Sequence, residues 1–237
     1  MRIGARARVM TLAIALAVAT VACTTNRQEP AEPTMGGGMT GTPGAPPATS
    51  VDLASGGPAL QQALTALLQE HEYLAGIAVS QGVANGLDSP QFQAAAEALG
   101  ANSQALADAV ASVYGDEAGK AFLPLCEKHI GFFVNYTKGL ATGDDALARR
   151  SVKQLDAYRT DFGAFIESAT EGRLTTEQVA DALRPHVEST LAAIDAVVTG
   201  EGGNPFELLR EAAGHMPMIA TALAGAIADQ FPERYTA

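Results

Sequence analysis

The chain has 237 residues, 47% of them hydrophobic and only 5% aromatic, with no Trp. Its 26 acidic residues outnumber 15 Lys and Arg, for a net charge of −11, which argues against a nucleic-acid-backbone binder, because that role needs clustered cations. Two cysteines exclude a disulfide-rich scaffold and a four-cysteine zinc site.

Mean hydropathy is +0.09, high enough to look first for a targeting or membrane segment. Arg2, Arg6 and Arg8 form a positive N-terminal region, and Val9 to Ala22 is an uncharged, mostly apolar run. The run is shorter than the roughly 20 residues of a membrane span and fits a signal-peptide core. It ends in Thr20-Val21-Ala22-Cys23. This resembles the lipobox of bacterial lipoprotein precursors, with Thr20 standing where Leu is usual. The resemblance implies removal of residues 1–22, lipid (diacylglycerol and palmitate-like chains) on Cys23, and an extracytoplasmic protein held at a cell membrane. An ordinary secretory signal with a chance cysteine is the other reading. Removal of residues 1–22 takes away three arginines and no acid, so −11 becomes −14. Cys126 is then the only free thiol, and its plainest role is a small buried apolar residue.

Residues 23–57 form the lipidated N-terminus and a tether. Gly36-Gly37-Gly38 and Pro43-Gly44-Ala45-Pro46-Pro47, with Thr and Ser throughout, bury too little apolar area to offset ordering entropy. From residue 58 to 237 the composition changes. All 13 Phe and Tyr lie between Tyr73 and Tyr235, and Leu60, Leu64, Leu67, Leu68, Leu74 and Ile77 recur at helical spacing. Stop and start signals divide this body into six helices. The breaks are Asn85-Gly86 before Ser89-Pro90, Gly115-Asp116, Gly143-Asp144, Glu171-Gly172-Arg173 before a capping box at Thr175–Gln178, and Gly200–Gly203 before Asn204-Pro205. The expected fold is all-α: six helices as three tandem hairpins in one bundle, or four helices followed by a separate pair.

Three segments align as a repeat. Leu68-Gln-Glu-His71, Cys126-Glu-Lys-His129 and Leu183-Arg-Pro-His186 each place a histidine 14 residues before a turn at 85, 143 and 200. The histidines are 58 and 57 residues apart. In the second helix of each unit, Asn102, Tyr158 and His215 each precede an apolar residue by four. The body is similar to bacterial proteins of repeated histidine-bearing helical hairpins, a resemblance that implies no known activity.

His71 and His129 fall on apolar stripes, while His186 has Ser189 and Thr190 as neighbours on its face, a polar edge. If the odd-numbered helices surround one axis, these three imidazoles converge and suit Zn or Cu. The alternative is that they are hydrogen-bonded core residues. The pattern argues against a ferritin-like di-iron centre, because the residue three before each His is Leu68, Cys126 or Leu183 rather than Glu. His215-Met216-Pro217-Met218 adds soft ligands for copper or haem, or else gap-filling methionines beside a proline bend. The acids, Glu70, Glu72, Asp108, Asp116, Glu117, Asp144, Asp145, Asp156 and Asp161 among them, read mostly as a solvated face. No nucleophile elbow, zinc-protease motif or phosphate loop is present, so no catalytic role is expected. Two functions follow. One is an anchored binding protein for a transition metal or haem through His71, His129, His186 and His215, with Met216 and Met218. The other is a structural lipoprotein that contacts other envelope proteins.

Overall fold

The computed structural model describes residues 56–235. Residues 1–22, Cys23 and the tether up to residue 55 lie outside the described residues, as do the last two. The described residues are helical, with no strand among them. The helices are α1 (Gly57–Asn85), α2 (Pro90–Tyr114), α3 (Asp116–Thr142), α4 (Asp145–Ala169), α5 (Thr176–Thr199), α6 (Pro205–Gly214), α7 (Met216–Gln230) and α8 (Pro232–Tyr235). None is long and apolar enough to cross a membrane.

Local chemistry sets the boundaries. The Ser89 side chain accepts from Phe92 N–H, and Pro90 supplies the fixed φ of a first turn. Asp144 caps α4 through Leu147 N–H, and Asn204 caps α6 through Phe206 N–H. Thr175 and Gln178 bond each other's backbone N–H groups in a capping box. Gly143 and Gly200 end α3 and α5 in the left-handed region, at φ 71° and 73°, where a Cβ is penalised.

The sixth expected helix is two. Pro217 has no N–H to give to the carbonyl of residue 213, so the ladder changes register. His215 N–H reaches the Ala212 carbonyl at 3.2 Å, three residues back, and regular helix resumes at Ile219 N–H to His215 O. The short α8 is a further addition. Both other prolines inside helices, Pro124 and Pro185, are carried within unbroken α3 and α5.

Helices adjacent in sequence pack against each other, and α7 returns to α1, which closes a ring. Within the ring α1, α3 and α5 each touch the other two. A single residue, Gly115, joins α2 to α3, so these run antiparallel. The body is one compact unit, not four helices and a separate pair. Its main core gathers Leu60, Leu67, Leu106, Phe122, Cys126, Tyr158, Phe162, Ile166, Ile219 and Ile227. A second cluster holds Phe133, Leu155, Val187 and Ile194. The core residues named here all belong to the described body.

Candidate functional site

His71 on α1, His129 on α3 and His186 on α5 come together inside the ring. The His71 and His129 rings are 5.4 Å apart, centre to centre. His186 lies close enough to both for charge on one ring to oppose charge on the others. His71 and His186 are each only 8% exposed. The expected polar edge at His186 is therefore interior. Its polar neighbours are buried because they satisfy themselves on the helix backbone: Ser189 Oγ donates to the Pro185 carbonyl at 2.7 Å, and Thr190 Oγ1 to the His186 carbonyl at 2.8 Å.

Each imidazole meets a residue of an outer helix. Asn102 of α2 donates its amide N–H groups to the Leu67 carbonyl and to Glu70 Oε2. That fixes Asn102 Oδ1 as an acceptor, so His71 Nδ1–H donates to it, at 2.8 Å. His71 Nε2 is left as a bare lone pair, buried and without a partner. His129 stacks on Tyr158 of α4 at 4.8 Å. His215, between α6 and α7, stands near enough to His186 to oppose its protonation. His129 Nδ1 and His186 Nδ1 are also buried, with the backbone of Cys126 and Leu125 beside the first imidazole and that of Ala212 beside the second.

Glu72 completes the group, and the sequence expectation of a solvated acid is overturned here. It is 2% exposed, whereas the other eight acids named with it are exposed. The signal was present: Leu68, Ala75 and Val79 lie four before, three after and seven after it, on one helical stripe. Glu72 Oε1 accepts from Thr190 Oγ1 at 3.1 Å, and Oε2 is 3.8 Å from His186 Nε2, too far for a hydrogen bond. Burial is the main cause that pushes the Glu72 carboxyl up to about 7. Burial likewise lowers His71, lowers His129 well below the ordinary imidazole value, and takes His186 down to about 4, with neighbouring imidazoles adding to the last two.

These four side chains line the inner end of a cavity of about 320 Å³ that runs along the C-terminal halves of α1, α3 and α5. Its walls are apolar: Val79, Leu99, Ile130, Phe133, Val134 and Ile194 among others. Val83, Leu87 and Phe206 line it from exposed positions, with Phe206 71% exposed. The chain matches no protein-family model, no curated protein and no solved structure.

The other expected ligands are placed elsewhere. His215, Met216 and Met218 do not line the cavity. Met216 is core and Met218 is exposed, because two residues apart on α7 they point to nearly opposite sides of the helix. Among the described residues no three His, Cys, Asp or Glu side chains form a group that holds a metal ion. Cys126 is buried, and burial pushes its thiol up to about 11, which leaves it un-ionised and inert near neutral pH.

Proposed function

We propose that this is a lipid-anchored, extracytoplasmic binding protein whose ligand is a small, mostly apolar organic molecule. The supporting observation is an apolar cavity that ends in three buried imidazoles and a buried carboxyl, with His71 Nε2 lacking a partner. Small-molecule sites have this make-up, with a few convergent polar groups on an apolar wall. The cavity is near the small end of the usual range of about 300–1,000 Å³, which favours a ligand smaller than a haem. The largely apolar lining favours an organic ligand over Zn or Cu. Membrane attachment rests on Cys23 and the lipobox resemblance. We further read the three hairpins as copies of one unit, since Asn102, Tyr158 and His215 recur beside their respective histidines.

The test uses the chain from residue 24 onward, which retains every core residue of the described body, with 1-octanol as probe. Octanol raises the melting temperature of the wild type, and native mass spectrometry shows one bound molecule. Ala75→Phe, which places a ring in the cavity, abolishes both effects. No shift and no adduct in the wild type would sink the cavity reading. They would favour the second reading, an envelope interaction protein, for which the exposed Tyr73, Ile77 and Phe206 are the observation.

A further inference from the structure

The inner end of the cavity has an uneven inventory of donors and acceptors. Asn102 takes the only N–H of neutral His71, so Nε2 offers a lone pair and nothing else. Glu72 has two oxygens and one shared hydroxyl. Thr190 has a single proton, and its contact with the His186 carbonyl, 2.8 Å, is shorter than its contact with Glu72, 3.1 Å. Among the described residues the one basic atom within 4 Å of Glu72 is His186 Nε2, on an imidazole that burial keeps neutral. Among the described residues Lys138 is the only Lys or Arg that lines the cavity. It lies nine residues beyond His129 on α3, about 13 Å of helix rise away, and is exposed at the outer end.

A buried carboxylate without a cation is costly, and so is a buried lone pair without a donor. One group answers both needs, since an ammonium brings a positive charge and three N–H donors. We propose that the ligand carries a primary ammonium head, held by Glu72 and His71 Nε2, with its apolar body in the cavity. This rests on the cavity reading above and adds the chemistry of the head group. An alcohol head has one donor and no charge. A carboxylate head faces the Glu72 charge and the His71 lone pair, and is rejected.

The experiment compares n-octylamine, 1-octanol and octanoate by calorimetry at pH 8 on the chain from residue 24 onward. The amine is expected to bind about tenfold tighter than the alcohol, because charge-assisted hydrogen bonds are roughly twice as strong as neutral ones. Octanoate is expected to bind more weakly than both. In Glu72→Gln, a near-isostere without the charge, the amine falls to the alcohol's affinity. Octanol binding with no preference for the amine overturns the ammonium head and leaves the cavity reading standing. An amine preference that persists in Glu72→Gln also overturns it, since the preference then arises elsewhere. Failure of all three probes removes the cavity reading itself.

Discussion

His71, His129 and His186 are all less basic than a free imidazole, and the first cause in each is burial. Glu72 is perturbed the other way, up to about 7. The signs decide how stability depends on pH. Between about pH 6.5 and 4.5 the unfolded chain binds up to three histidine protons that the folded chain refuses. The folded chain keeps one proton on Glu72 that the unfolded chain releases. The unfolded state therefore binds more protons in this window, and stability falls as pH falls. Urea denaturation is expected to show a loss on the order of 2–4 kcal/mol between pH 7 and pH 5. His186→Gln flattens the slope by removing one of the three protons. A pH-independent midpoint over this range would mean that the cluster protonates in the folded state. The histidines were legible as a set because their spacing repeats. Glu72 was not, because an acid next to a histidine in an acidic chain reads as surface unless its stripe of Leu68, Ala75 and Val79 is traced.

At the scale of helices, the boundaries followed from short-range chemistry and could be read directly. Ser89-Pro90, Thr175 with Gln178, and Asn204-Pro205 each carry their own cap, so tertiary context has little to add. The break at His215 was less legible, because Pro124 and Pro185 are the same residue type and stay inside continuous helices. What differs is the ladder around His215, which shortens to a three-residue step. Close approach between helices was invisible in the sequence, since it depends on which glycine faces which backbone. Gly163 of α4 is buried, and a Cβ there would run into the backbone of Thr176, its carbonyl oxygen first, at the start of α5. Backbone cannot swing aside as a side-chain tip can. Gly163→Ala is therefore expected to cost about 1–3 kcal/mol, although alanine is the better helix former. Thermal unfolding monitored by circular dichroism reads the loss. A stabilised Gly163→Ala protein would show that α4 and α5 stand further apart.

The ring as a whole is a product of long-range pairing, and here the sequence gives least guidance. Hairpin neighbours follow from short connections, but nothing local says that α7 closes on α1. The C-terminal turn shows how that closure is held. Tyr235 is 2% exposed and belongs to the main core. Its carbonyl oxygen lies 3.1 Å from where a Cβ on Gly57, the first residue of α1, would stand. Arg234 donates to the carbonyls of Ser112 and Val113 in the last turn of α2, where helix carbonyls lack intrahelical partners. The same guanidinium lies over the rings of Phe231 and Tyr235. One short turn thus ties the start of α1 to the end of α2 and to α7, remote from the cavity, which neither Arg234 nor Tyr235 lines. A chain ending at Phe231 loses a buried aromatic side chain, a loss worth about 3–5 kcal/mol in cores, and for a domain of this size its melting temperature drops by roughly 10 °C. Its unfolding remains a single transition, because the two core clusters stay within one ring. Octanol binding is retained, since the lining of α1, α3 and α5 is intact. A truncated chain that melts with the wild type would show that α8 adds nothing to closure. One that melts normally but no longer binds would couple the C-terminus to the cavity, against the separation argued here.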